Sequence, residues 1–124
     1  SEVRALLAAP DLPGLFVEAG LALAELQAER LPAPQGEAEA LEVTGRDTEA
    51  LLVAFLDELI YRSERSGRVH TAFAIEEVGG GRLRARIRGA PPARWKTAVK
   101  AASYHLLSVE EDEAGFHAGV VLDV

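Results

Sequence analysis

The chain has 124 residues, 48% hydrophobic and 27% charged, with a net charge of −7 and no cysteine. That length makes one domain with a core of its own. The composition excludes disulfides, thiolate metal sites and thiol catalysis, and no apolar run approaches the roughly 18 residues of a membrane-spanning helix. The charge is uneven. Residues 1–64 hold thirteen acids against four bases, and residues 65–124 hold seven against nine. An acidic half argues against stable wrapping of nucleic acid, which needs a basic surface. It suits a basic protein partner or a bound cation, although solubility is the simpler cause of the overall sign.

Val3 to Leu7 reads as a short strand. Asp11 caps a first helix, with Pro13 tolerated in its first turn; Leu12, Leu15, Phe16, Ala19, Leu23 and Leu26 share one face, and Pro32 and Pro34 are expected to end it. Glu39 to Thr44 alternates as a strand. Asp47 caps a second helix with a stripe of Leu51, Leu52, Phe55, Leu56, Leu59 and Ile60, and Gly67 follows its end as a left-handed cap. Val69 to Ile75 and Leu83 to Ile87 alternate around Gly79-Gly80-Gly81, a hairpin signal. After an Ala90-Pro91-Pro92 loop, Thr97 to Val109 reads as a long strand, Glu110 to Gly115 as a turn and Phe116 to Val124 as a last strand. The sum is an α+β domain: a mainly antiparallel sheet of about six strands with two main helices packed on one face.

Few residues point to chemistry. Arg82, Arg84, Arg86 and Arg88 fall on one face of a strand, either a contact surface for phosphate or an acidic partner, or simply a solvated face. The second is favoured because no aromatic residues interleave with them. Glu110 to Glu113 lacks the spacing of a calcium loop and reads as a charged turn. His70, His105 and His117 have no zinc-site spacing; His105 and His117 are possible cross-strand neighbours in the final hairpin. No nucleophile elbow, P-loop or dinucleotide fingerprint is present. Asp123 sits in the apolar run Gly119-Val120-Val121-Leu122-Asp123-Val124, one residue before a terminal carboxylate. Two carboxylates so close repel unless a cation bridges them, and oxygen donors alone suit calcium, magnesium or manganese. A frayed, solvated end accounts for Asp123 equally well. Lys100 lies in the Thr97–Val109 strand on the face of Ala102 and Tyr104, there to meet a partner or merely to face water.

Three stretches resemble the archease family. Leu51-Leu52-Val53-Ala54-Phe55-Leu56-Asp57-Glu58-Leu59-Ile60-Tyr61 is similar to its second-helix pattern. Val99-Lys100-Ala101-Ala102-Ser103-Tyr104-His105 is similar to its Val-Lys-Ala-x-Thr-Tyr-His strand, and Val121-Leu122-Asp123-Val124 to its Leu-Asp-Ile-like ending. With Val3-Arg4-Ala5 and the helix from Asp11, the resemblance covers nearly the whole chain, one archease-like domain over residues 1–124. It implies a cytoplasmic, non-catalytic cofactor of the RtcB-type RNA ligase, which seals tRNA exons and repairs RNA. Such a cofactor promotes guanylylation of the ligase by GTP and its multiple turnover. The alternative is a chaperone-like interaction module without ligase specificity. The family's metal site uses an N-terminal Asp, the penultimate Asp and the last residue. The latter two fall on Asp123 and Val124, for a divalent cation, calcium before magnesium or manganese. The family's functional lysine falls on Lys100. The resemblance places a His-Thr-Ala-Asp motif ahead of Ser1; Glu2, the only acid near that point, is not assigned as a ligand. Two departures stand out: the loop from Gly89 to Thr97 is shorter than in the family, and Ser103 stands where Thr is usual.

Overall fold

Two aspartates start the two helices. Asp11 Oδ1 accepts the Gly14 N–H at 2.7 Å, and Asp47 Oδ1 accepts the Ala50 N–H at 2.8 Å. Each satisfies a backbone donor that the first turn leaves unpaired. The computed structural model, which describes residues 1–124, runs β1 (Glu2–Ala9), α1 (Leu12–Gln27), β2 (Gln35–Thr44), α2 (Thr48–Ser66), β3 (Val69–Gly79), β4 (Arg82–Ala90), β5 (Ala101–Asp112) and β6 (Gly115–Asp123). The class is α+β with two helices and six antiparallel strands. The strands form two sheets of three, ordered β1-β6-β5 and β2-β4-β3, rather than one continuous sheet.

Both helices reach the inner faces of both sheets, α1 chiefly on β3 and β1, and α2 chiefly on β5 and β2. One core cluster joins them: Leu15, Phe16 and Leu23 from α1, Leu51, Leu52, Phe55 and Leu59 from α2, Leu83 and Ile87 from β4, Val120 and Leu122 from β6. Phe55 is the hinge of this packing, edge-on to Phe16 at 5.6 Å and to Phe73 at 6.1 Å. Gly67 closes α2 at φ 69°, with its N–H on the Ser63 carbonyl, as its position after the apolar stripe foretells.

Several boundaries differ from the sequence expectation, most of them by a few residues. Helix α1 stops at Gln27, before either proline, because Ala28 turns extended and pairs with Trp95. Strand β5 begins at Ala101, so Thr97 to Lys100 lie outside it, and it continues through Asp112; the final turn is only Glu113-Ala114. Val124 follows the end of β6.

The arginine row is a cross-strand charge ladder. Arg82 meets Glu42 at 3.2 Å and Glu77 at 3.7 Å, Arg84 meets Glu77 at 3.7 Å, and Arg86 meets Glu76 at 3.7 Å. Irregular register between Ile75 and Glu77 leaves both acids exposed beside the arginines. Arg88 instead donates to the Gly36 and Pro34 carbonyls. Exposed pairs of this kind contribute about 0.2–1 kcal/mol each, so the ladder serves register and solubility more than stability.

Helix α1 meets β3 at Gly20. A Cβ there would lie 2.6 Å from the Phe73 ring. Alanine in mid-helix gains about 1 kcal/mol over glycine, while overpacking a core costs about 1–3 kcal/mol. Because the obstacle is a ring packed edge-on to Phe55, the clash wins. Gly20→Ala is expected to lower the unfolding free energy by about 1–2 kcal/mol in urea denaturation; a stabilised variant would show that Phe73 yields freely.

Candidate functional site

Strand β6 is the middle of its sheet, and its alternation sorts the candidate residues. Ala118, Val120 and Leu122 enter the core, so Gly119, Val121 and Asp123 take the outer face. Asp123 is half-buried at the last position of the strand. Its backbone carbonyl accepts the Lys100 N–H at 2.8 Å. Just beyond it, the Val124 N–H donates to the Ser1 carbonyl at 3.0 Å, and the Ser1 nitrogen lies 3.5 Å from the Val124 backbone oxygen. The structure therefore brings Lys100, Asp123 and Val124 to one end of the β1-β6-β5 sheet.

It brings Glu2 there as well. Glu2 is the register partner of Asp123. Ser1 and Val124 exchange the hydrogen bonds of one pair, so Glu2 and Asp123 form the following non-bonded pair, whose side chains stand closest. Two carboxylates directly opposite each other repel. Sequence spacing gives no hint of this, because the two residues lie at opposite ends of the chain. The donors at this tip, two side-chain carboxylates and the carboxylate of Val124, fit a hard cation in kind. They fall short in number, since calcium takes six to eight oxygens, and nowhere do three His, Asp or Glu side chains converge. Any cation here would need water or a partner to complete its shell.

Lys100 is not on β5. It is exposed, in the irregular segment just before the strand. Nor do Lys100, Ala102 and Tyr104 share a face: Ala102 is buried and Tyr104 is exposed. The cause is a large bulge. The register passes from Ser103↔Val121 to Ser108↔Gly119, so Tyr104 to Leu107 stand opposite Val120 alone. Within it Leu106 takes φ 56°, and its carbonyl accepts from the Arg4 guanidinium at 3.4 Å. Arg4 reaches it by crossing Gly119, where a Cβ would lie 2.4 Å from the guanidinium. On the inner side, the Asp57 carboxylate of α2 accepts the Ala102 N–H at 2.8 Å. Partial desolvation raises the Asp57 pKa, and that hydrogen bond pulls it back.

The family-level comparison covers nearly the whole chain. The model of the Archease protein family matches residues 2–124. The chain belongs to the archease family. It is 35% identical over 118 residues to Protein archease of Methanopyrus kandleri, covering 89% of this chain and 84% of that one. Two solved structures share the archease fold. A Thermotoga maritima archease, described as a possible chaperone, superposes with a TM-score of 0.62 at 17% identity, covering 100% of this chain and 90% of its own. A Methanobacterium thermoautotrophicum protein solved in solution does so with 0.68 at 21% identity, covering 99% and 91%. No helix of this archease is long and apolar enough to cross a membrane.

The histidines of this archease do not assemble. His117 pairs across the hairpin with Glu110, not with His105, and its Nε2 lies 2.9 Å from Asp112. His105 sits in the bulge, its N–H on the Ser103 hydroxyl. His70 is buried, with Nδ1 3.5 Å from the Ser63 hydroxyl. Burial holds its pKa below the ordinary 6.5; Glu39 opposes this, and Arg62 and Arg68 add to it. Below pH 6.5 the unfolded chain therefore binds a proton that the folded chain refuses. Stability supplied by neutral His70 is complete above that pH and drains away as pH falls from 6.5 through the depressed folded value. Urea denaturation between pH 7.5 and 5 is expected to show this loss, and His70→Gln is expected to flatten it; an unchanged slope in the variant would assign the loss elsewhere.

Proposed function

We propose that this archease is a cytoplasmic, non-catalytic activator of an RtcB-type RNA ligase, promoting guanylylation and repeated turnover of the ligase in tRNA splicing and RNA repair. The observation that carries the reading is the convergence of Lys100, Asp123 and Val124 at one sheet end, with the Lys100 backbone fastened to Asp123. Three residues that the family resemblance singles out thus lie at one end of one sheet. The absence of a nucleophile elbow or P-loop in the sequence agrees with an accessory role.

Asp123 and Val124 are the ligands proposed for a divalent cation, calcium first, with Glu2 as an added donor. When bound, the cation supplies positive charge that neutralises carboxylates otherwise left facing each other. Lys100, exposed and held to this end of the sheet by its backbone, is the proposed contact to the ligase. Calorimetric titration of the whole chain with calcium, magnesium and manganese is expected to give binding that Asp123→Ala abolishes and Glu2→Gln weakens roughly tenfold, the scale of one charge-assisted contact. In a guanylylation assay with the ligase and GTP, Asp123→Ala and Lys100→Ala are each expected to return the rate to its unstimulated level. Full stimulation by both variants would sink the reading.

One observation favours a second reading, a chaperone-like module. Leu6 is 74% exposed, and Tyr104 and Leu106 are also exposed, all on β1 and the β5 bulge of the same sheet. Exposed apolar groups of this kind suit binding of unfolded clients. Suppression of aggregation of unrelated proteins, undiminished by Lys100→Ala and Asp123→Ala, would favour it over ligase activation.

A further inference from the structure

The two lysines of this chain line one cleft. Of thirteen basic residues, only Lys96 and Lys100 are lysine, and both line a cavity of about 640 Å³ between the end of α2 and the segment leading to β5. Almost every arginine is spent inside the chain on a carboxylate, carbonyl or hydroxyl, for example Arg4, Arg62, Arg65, Arg68 and Arg88. Neither lysine side chain has a partner, although both backbones are pinned. The Lys96 N–H donates to the Gln27 carbonyl and the Lys100 N–H to the Asp123 carbonyl, each at 2.8 Å. The positions are fixed and the ammonium groups are free.

The rest of the lining is selective. Trp95, the only tryptophan, is 46% exposed and sits in the stretch pinned to the end of α1. Ile60 and Val99 supply apolar surface. Gln27 is 5% exposed, and its side chain makes no hydrogen bond within the protein. No enclosed side-chain nitrogen or oxygen in the molecule lacks a partner, so the unpaired Gln27 amide keeps some access to solvent, and Gln27 lines the cleft. An apolar cavity of this size with a few polar groups aimed into it has the form of a small-molecule site. Two ammonium groups against the single carboxylate of Glu64 make it net positive on a chain of net −7.

We infer that this cleft binds a nucleoside polyphosphate. An indole stacks on any base, an amide pairs with a purine edge through a donor and an acceptor, and lysine is a point-charge partner for phosphate. Glu64 and the C-terminal turn of α2 repel phosphate from the helix wall, which puts the phosphates on Lys96 and Lys100 and the base against Trp95, Ile60 and Gln27. The site shares Lys100 with the ligase reading but requires neither the ligase nor a metal at Asp123.

The test uses the whole chain alone, without ligase. Excited at its long-wavelength edge, Trp95 reports on the cleft directly, and calorimetry gives a second readout. Titration with GTP and ATP is expected to give saturable quenching and heat. Lys96→Ala and Lys100→Ala are each expected to weaken binding roughly tenfold, and Gln27→Ala to narrow the difference between the two nucleotides. Asp123→Ala is expected to leave nucleotide binding intact, which separates this site from the metal tip. Absence of saturation by both readouts at millimolar GTP and ATP overturns the inference. So does equal binding of inorganic tripolyphosphate and nucleotide, which would reduce the cleft to a patch of charge.

Discussion

The structure depends on the burial of β6 between β1 and β5. A middle strand has both its backbone edges in use, so nothing in β6 can shift without breaking two ladders. With Leu122 in the core, alternation leaves Asp123 no choice of face, and its carbonyl then fixes where Lys100 enters. The placement of these candidate residues is thus a by-product of packing. An apolar residue two positions from the end of the chain sets the position of a carboxylate and, through it, a lysine on another segment.

Local chemistry was legible in the sequence, and long-range chemistry was not. Asp11, Asp47 and Gly67 mark helix ends because caps act within one turn. The stripes of α1 and α2 appear because burial follows the helical period, and Gly79-Gly80-Gly81 marks a hairpin whose strands are neighbours in sequence. The division into two sheets leaves no such trace: β6 pairs with both β1 and β5, and alternation is silent about partners. The β5 bulge was hidden for another reason. Leu106 adopts a left-handed conformation without the glycine or asparagine that usually announces one, so Thr97 to Val109 reads as uninterrupted strand. The structure takes Lys100 off that strand and gives it other neighbours.

At the site the same division holds. Lys100, Asp123 and Val124 come from the family resemblance, and the structure gathers them at one end. Glu2 becomes relevant only through strand pairing. Gln27 and Trp95 look like a helix-end residue and a loop aromatic until the Ala28–Trp95 bridge joins their segments. The arginine row is a solvated face as its alternation implies: Arg82, Arg84 and Arg86 meet Glu42, Glu76 and Glu77, while Arg88 turns to backbone carbonyls.

The pairing of Glu2 with Asp123 also governs how the chain can be made. Synthesis runs from the first residue at about 5–20 residues per second, and a domain folds as its parts emerge. The β2-β4-β3 sheet is complete once β4 has appeared. Strand β1 has no strand partner until β6, the last of the six, has left the ribosome. Throughout that interval the edge of β1 that β6 will cover is available to other chains, and closing this long loop waits for β6. The strand that carries Asp123 is therefore also the piece that joins β1 to β5, so that a polypeptide cut short before β6 has neither that sheet nor the Asp123 site.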